Sequence, residues 1–396
     1  MSDALPPGAT IGIVGGGQLG RMSAIAAARL GYRAHIFAPD ADSPASLVSA
    51  ATTLGAYDDP EALTRFAHAV DVVTFEFENV NAAGLDLLAA LKPVRPSPAV
   101  LRISQDRLAE KRFVNAAGAR TAPWEPVGTP DDLSRAIEKL GLPSVLKTTR
   151  LGYDGRGQAL LRDPTDAPAA WERLAPRPLI LESFIDFACE ISVIVARGLD
   201  GAAVAFDAVE NRHKHHILDL TLAPARITPE LAAQARAIGI QIATSLDVIG
   251  LLAVEMFVDR DATLLVNEIA PRPHNSGHWT LDACPASQFE LHIRAIAGLP
   301  LPQATRHSDA VMKNLVGPAD MAQWPQILAT PGLIPHHYGK AEARPGRKIG
   351  HVTHLFPRAA LPGEHGVRAV LGPLVDEEEK EGQGALPPAP PLRTSP

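Results

Sequence analysis

Two glutamates and a run of glycines carry the clearest chemistry in this chain. Glu255 and Glu268 stand in the apolar segments Leu251–Val258 and Thr263–Glu268, on either side of the turn Asp259-Arg260-Asp261. They are nearly equidistant from the turn, so an antiparallel hairpin sets them opposite each other on one face. Two carboxylates so placed repel unless a cation lies between them. Magnesium carried on nucleotide phosphates suits such a pair, because it takes one or two carboxylates and completes its shell with phosphate oxygens. Two solvated glutamates on an exposed sheet face are the alternative. The flanks Leu251-Leu252-Ala253-Val254 and Leu264-Leu265-Val266 are too apolar to favour it.

A second group begins at Lys147, which ends a strand-like segment and leads into Gly152, Tyr153, Asp154, Gly155, Arg156, Gly157 and Gln158. Three glycines leave backbone N–H groups open to a phosphate chain, with Lys147 beside them. Arg156 adds a planar donor fork suited to an oxyanion. The G-x-x-x-x-G-K-[ST] arrangement is absent, so this is no Walker loop, and a flexible charged hairpin would look the same. Directly after Glu268, the proline-bounded loop to Trp279 crowds Arg272, His274, Asn275 and Ser276 into a few positions. Such a loop suits a polar acceptor better than a core. Leu179–Ile185 is a strand running into a connector, where backbone groups can meet an adenine edge and Glu190 can accept from ribose hydroxyls. By itself, a packing strand with a surface glutamate accounts for it equally well.

Near the start, Gly15, Gly17 and Gly20 fit G-x-G-x-x-G between a strand and a helix. The turn offers N–H groups to an anion at a helix N-terminus. A nicotinamide dinucleotide site also wants an acid at the end of the second strand. Asp40 lies near there, though in a Pro/Ala/Ser loop, and the dinucleotide reading stays open on this segment alone.

These groups need a scaffold. The first hundred residues alternate strand and helix: Thr10–Val14, a helix from Leu19 to Leu30 stopped by Gly31, Arg33–Phe37, a helix from Pro60 to Ala69, Asp71–Phe77, and a helix over Ala82–Leu91. That rhythm predicts a parallel sheet covered by helices. Ser104–Ala117 reads as one amphipathic helix, and Thr129-Pro130 opens another that ends at Gly141. Strands predicted at Ser144–Thr149, Gln158–Leu161, Leu179–Ser183, Glu190–Ala196, Ala202–Val209, Leu251–Val258 and Thr263–Glu268 lack steady alternation, which indicates an α+β unit. The expected division is 1–103, 104–302 and 303–375. An acidic and then Pro-rich tail, 376–396, is expected to be disordered.

The composition fits a globular enzyme of more than one unit: 396 residues, 46% apolar and 20% charged. Cys189 and Cys284 suggest neither a disulfide scaffold nor a metal site. A net charge of −7 argues against a general nucleic-acid binder. No apolar run suggests a membrane span, and the N-terminus lacks a secretory pattern, so a cytoplasmic protein is expected.

Together these segments resemble the ATP-grasp ligases and, within them, the N5-carboxyaminoimidazole ribonucleotide synthetase family. The likeness is carried by Gly15–Met22, Ser104–Leu108, Thr121–Trp124, Gly152–Gln158, Asn267–Thr280, Ser287–His292, Arg344–Lys348 and Gly350-His351, in the family's order. It implies an ATP-grasp fold of α/β and α+β parts, with an N-terminal Rossmann-like (pre-ATP-grasp) domain, a small C-terminal domain and a homodimer. Its cofactors would be ATP and Mg2+, and its substrates aminoimidazole ribonucleotide and bicarbonate, joined through carboxyphosphate. By the resemblance, Arg107, Lys147 and the 152–158 loop would contact the nucleotide phosphates. Glu182, Ser183, Phe184 and Ile185 would hold adenine, Glu190 the ribose, and His213 the nucleotide region. Glu255 and Glu268 would bind magnesium, with Asn267 beside them. Tyr153, Asp154, Arg156, Arg272, His274, Asn275 and Ser276 would surround the reacting groups. Gly17, Gln18, Leu19 and Glu76 would touch the ribonucleotide, and Lys340, Arg347 and Lys348 would grip its 5′-phosphate.

Two segments depart from the family pattern: Val209–His216 is richer in histidine, and the chain after His351 matches poorly. A formate-using sister ligase, a NAD-dependent oxidoreductase and a catalytically silent nucleotide binder remain rival readings at this point.

Overall fold

The computed structural model describes residues 4–150 and 157–374. The expected disorder of 376–396 and the hairpin tip at 152–156 lie outside the described residues. Four strands open the chain, β1 (Thr10–Val14), β2 (Arg33–Ala38), β3 (Ala51–Leu54) and β4 (Val72–Phe75), all parallel and ordered β3-β2-β1-β4. Near-continuous apolar strands such as β1 and β4 belong in a parallel sheet buried on both faces. Its helices begin where their caps dictate. Asp59 accepts the N–H groups of Glu61 and Ala62, with Pro60 in the first turn, and Asn81 accepts from Ala83. Sequence reasoning missed β3, an edge strand with no buried residue.

The single helix expected at Ser104–Ala117 is two, Pro98–Ser104 and Arg107–Ala116. Asp106 explains the break, since its carboxylate accepts from Leu108 and Ala109 and starts a new helix. That cap puts Arg107 in the first turn, facing the cleft described below.

A small antiparallel sheet follows, from β5 (Trp124–Val127), β6 (Ser144–Thr148), β7 (Gln158–Leu161) and β8 (Leu179–Ser183), ordered β5-β8-β6-β7. Among the described residues the largest sheet holds β9 (Phe187–Arg197), β10 (Ala203–Ala205), β11 (Val209–Lys214), β12 (Ile217–Ala223), β13 (Gly250–Asp259), β14 (Leu264–Ala270), β15 (Asp309–Val316), β16 (Leu333–His337) and β17 (Lys348–Phe356). Its order is β14-β13-β9-β11-β12-β15-β17-β16, with β10 also on β9. The one strand expected at Ala202–Val209 is therefore two, because the chain leaves the end of β9 at Ala205 and rejoins it further along at Val209. Pairing of β12 with β15 carries this sheet across residue 302 into the C-terminal segment. Among the described residues no helix is long and apolar enough to cross a membrane.

The helix Gln288–Ala297 joins the first sheet to the largest one. Phe289, Ile293 and Ile296 pack with the first helix, while Leu291 packs with Leu251 and Ala253 of β13. His292, on the same helix, shares a hydrogen bond of 2.9 Å with Thr74 of β4.

Burial holds His292 down at about 3, and pushes His278 and His351 well below the usual histidine range. A histidine depressed in the folded state takes up protons on unfolding, so its contribution is present above about pH 6.5 and is lost as pH falls towards the folded value. His292 alone is expected to withdraw roughly 2 kcal/mol between pH 7 and pH 5. Thermal melts at pH 7, 6 and 5 should show Tm falling at each step, and a flat Tm would contradict this reading of the core.

Candidate active site

The sheets enclose a cleft of about 470 Å3 whose wall includes Gln18, Arg107, Glu255, Glu268, Arg272 and Lys348. Glu255 on β13 and Glu268 on β14 are direct cross-strand partners, as their spacing about the turn predicts. Each carboxylate is met by a nitrogen donor. Glu255 Oε1 lies 2.8 Å from His274 Nε2, and Glu268 Oε2 lies 3.4 Å from Arg107 Nη1. Burial would raise the Glu255 carboxyl, but His274, His213 and Arg272 hold it below the usual range. An ionised, half-relieved carboxylate pair on one sheet face has the donor chemistry of a magnesium site. Asn267, between them in sequence, points its backbone carbonyl away to Lys111 Nζ at 3.0 Å.

Beside this pair lies a buried charge cluster. Glu182 Oε2 is 3.0 Å from Lys147 Nζ and 3.3 Å from Lys111 Nζ. Burial opposes ionisation of Glu182, yet Lys147, Lys111 and Arg107 hold it at about 2. Burial pushes Glu110 the other way, to about 8, so at neutral pH it adds little negative charge. Three basic side chains, Lys147, Lys111 and Arg107, thus face Glu182 and Glu268, and burial lowers Lys147 from its usual range. The Glu182 side chain is engaged with the lysines. Of its neighbours, Ser183 donates its N–H to Pro123 O at 2.9 Å and Phe184 to Pro143 O at 3.1 Å. The Phe184 ring is nearly half exposed. Glu190 and His213, read separately in the sequence, meet here, the Glu190 carboxylate against His213 Nδ1.

At the glycine turn, the Glu76 carboxylate accepts the N–H groups of Gly17 and, at 2.6 Å, Gly20. The anion-binding end of the first helix is therefore filled by the protein's own carboxylate. A Cβ on Gly15 would sit 2.4 Å from Glu76 Cγ, and one on Gly17 2.6 Å from its Oε1. Glycine is required there to admit Glu76, and a dinucleotide pyrophosphate would compete for the same N–H groups. This removes the physical basis of the nicotinamide reading. Gly17, Gln18, Leu19 and Glu76 all line the cleft.

The loop after β14 completes the wall. Arg272 Nη2 meets Glu78 Oε1 at 2.5 Å, and the Ser276 hydroxyl lies 2.8 Å from His274 Nδ1. Among the described residues, both amide atoms of Asn275 are buried without a hydrogen-bond partner. Buried amides are seldom left so, and the residue lines the cleft, where a bound ligand or water would satisfy it. Lys340 Nζ donates to Lys348 O at 2.6 Å and Arg347 to Glu342 O at 3.3 Å, which gathers the three expected phosphate-binding cations on one segment. Burial, with Arg347 nearby, lowers Lys340 to about 8.

Asp282, His336 and His351 stand close enough to suggest a metal site. However, the two imidazoles stack at 4.4 Å and 11°, so their lone pairs run alongside each other instead of converging. His336 Nε2 bonds Asp282 at 3.0 Å and His351 Nδ1 bonds Tyr338 at 2.9 Å, while His351 Nε2 is buried with no hydrogen-bond partner among the described residues.

Gly152, Tyr153, Asp154, Gly155 and Arg156 lie outside the described residues. Gly157, at φ +71°, and Gln158 lead into β7, where Gln158 pairs with Lys147. Sequence reasoning missed Lys111, Glu110 and Glu78. Lys111 stands four residues after Arg107, so helical periodicity would have placed both on one face. No local signal marks Glu78.

The ribonucleotide synthetase preATP-grasp domain family matches residues 8–105, the ATP-grasp domain family 112–289, and the phosphoribosylaminoimidazole carboxylase C-terminal domain family 310–360. The N5-carboxyaminoimidazole ribonucleotide synthase of Brucella melitensis is 51% identical over 357 residues, covering 90% of this chain and 98% of that one. An ADP complex of an N5-carboxyaminoimidazole ribonucleotide synthetase superposes with a TM-score of 0.88 at 40% identity, over 94% of this chain and 97% of the other. The Aspergillus clavatus enzyme, solved with ADP and 5-aminoimidazole ribonucleotide, gives 0.86 at 32% identity over 93% and 98%. With three domain families matched in order around one cleft, and half the residues shared with a relative over nine tenths of the length, the chain belongs to the N5-carboxyaminoimidazole ribonucleotide synthases, ligases of the ATP-grasp fold.

Proposed function

We propose that this chain joins bicarbonate to 5-aminoimidazole ribonucleotide at the expense of ATP, forming N5-carboxyaminoimidazole ribonucleotide, ADP and phosphate in purine biosynthesis. The observation that carries the reading is the facing Glu255 and Glu268 pair, set between a cationic cluster on one side and the Glu76 turn with Lys348 on the other. Arg107 and Lys147 bind the nucleotide phosphates, and the backbone around Glu182 to Ile185 takes adenine. Glu190 and His213 take the ribose side. Glu255 and Glu268 hold magnesium, which supplies charge neutralisation at the phosphoryl oxygens when bound.

A bicarbonate oxygen attacks the γ-phosphorus and ADP leaves, giving carboxyphosphate. Its C–O bond to the phosphoryl group then breaks, releasing carbon dioxide and phosphate. The exocyclic amine of the ribonucleotide attacks the carbon dioxide and loses one proton. Arg272, His274 and Asn275 border the space where this happens, and Tyr153, Asp154 and Arg156, which lie outside the described residues, act on the same reacting groups. Lys340, Arg347 and Lys348 hold the 5′-phosphate, and Gln18 and Glu76 the rest of the ribonucleotide. The reading carries with it a cytoplasmic homodimer acting on small molecules, without a nucleic-acid or membrane partner.

Phosphate release from ATP is expected only when ribonucleotide and bicarbonate are both present. Release supported by formate instead of bicarbonate would point to the sister ligase. Glu268→Gln should lower kcat about 100-fold or more with an unchanged circular dichroism spectrum, because one charged ligand of the phosphate-bound cation is gone. Activity like the parent's would refute the metal assignment. Lys348→Ala should raise KM for the ribonucleotide about tenfold, the scale of one lost charge-assisted contact, and leave KM for ATP nearly unchanged. The opposite split would move this cluster to the nucleotide.

A further inference from the structure

Ser192 is a fully buried serine in the middle of the apolar strand β9, between Ile191 and Val193. A hydroxyl at such a position is costly unless its hydrogen bonds are made. In the sheet it stands directly across from Glu255, which in turn faces Glu268, so the three share one row. The next strands add Asn211 and Thr221, themselves cross-strand partners.

These residues form a chain of hydrogen bonds whose direction can be read. The Thr221 hydroxyl donates to Asn211 Oδ1 at 3.2 Å, which turns the amide so that Nδ2 donates to Ser192 Oγ at 2.9 Å. Ser192 then donates to Ser276 Oγ at 2.7 Å. The Ser276 hydrogen is left for His274 Nδ1 at 2.8 Å, where the Ser276 N–H also arrives at 3.3 Å. Nδ1 therefore accepts, and the imidazole proton sits on Nε2, facing Glu255 Oε1 at 2.8 Å. The reverse direction would set an Nδ1–H against the Ser276 N–H and a bare Nε2 lone pair against a carboxylate.

We propose that Ser192, held by Asn211 and Thr221, is a positioning residue for Glu255: through Ser276 it fixes His274 as an Nε2–H donor, which ties down one Glu255 oxygen and leaves the other for the cation. The proposal rests on the magnesium role of Glu255 given above. Its logic is that of metal sites in which outer hydrogen bonds set the orientation of the ligands, and where breaking one weakens metal binding by about 10- to 100-fold. Without the Ser192 hydroxyl, Ser276 can turn its hydrogen elsewhere. The imidazole is then free to change tautomer and release Glu255.

The test is Mn2+ binding to the ADP-loaded full chain, followed by electron paramagnetic resonance of free Mn2+, for Ser192→Ala, Ser192→Thr and Glu255→Gln. Ser192→Ala should weaken Mn2+ about tenfold or more, and Ser192→Thr, which keeps the hydroxyl, should restore it to within about threefold. Parent-like binding by Glu255→Gln would overturn the metal reading and this proposal with it. Weakened binding by Glu255→Gln beside parent-like binding by Ser192→Ala would overturn the positioning role alone, whatever happens to Tm. Histidine 15N chemical shifts of the unmodified chain give a check that needs no variant to fold. His274 should appear as the Nε2–H tautomer, and an Nδ1–H tautomer contradicts the chain of donors.

Discussion

Two carboxylates held face to face across a β-hairpin set the terms for everything around them. Glu255 and Glu268 share one row of the largest sheet, and an uncompensated pair so placed would push the hairpin apart. The protein answers with His274 on one and Arg107 on the other. Neither donor is chemically a substitute for a divalent ion between them. Arg107 reaches the pair because Asp106 interrupts what would otherwise be one helix. His274 reaches it because a proline-bounded loop leaves β14 at the level of Glu268. The local irregularities of the fold are thus concentrated where charge must be managed.

The same accounting extends to both ends of the cleft. On the side proposed for the nucleotide, the basic side chains of Lys147, Lys111 and Arg107 outnumber the Glu182 and Glu268 carboxylates they meet. On the side proposed for the ribonucleotide, a turn built like a dinucleotide site holds a protein carboxylate. Glu76 fills the N–H groups of the helix end, and the glycines remain because nothing larger admits that carboxylate. The helix Gln288–Ala297 keeps the two sides in register, being packed on both sheets and hydrogen-bonded to β4 through His292.

Much of this was legible in the sequence where the cause is local. β1, β7, β8 and the helix Ala82–Leu91 have the expected ends, because apolar runs, Asx caps and prolines act within a few residues. The facing glutamates followed from counting outward from a turn. What was not legible depends on distant parts of the chain. Asp106 reads equally as an ordinary helical residue until its cap is seen. The half-exposed edge strand β3 has no pattern of its own. Lys111 and Lys147 meet the Glu182 carboxylate from other elements, a contact with no mark in the local sequence. The chain of hydrogen bonds from Thr221 through Asn211 and Ser192 to Ser276 spans three strands and a loop, and no spacing announces it. Family resemblance supplied roles for residues whose own neighbourhoods carry little signal, such as Lys340 and Arg347.

The arrangement of the cleft requires a cation between Glu255 and Glu268. Its most direct test is a crystal of the protein grown with ADP and Mn2+, with data collected at the manganese absorption edge. An anomalous peak within coordination distance of both carboxylates and of a nucleotide phosphate oxygen is the predicted result. A nucleotide bound in the cleft with its manganese peak elsewhere, and with Glu255 still turned wholly to His274, would contradict it.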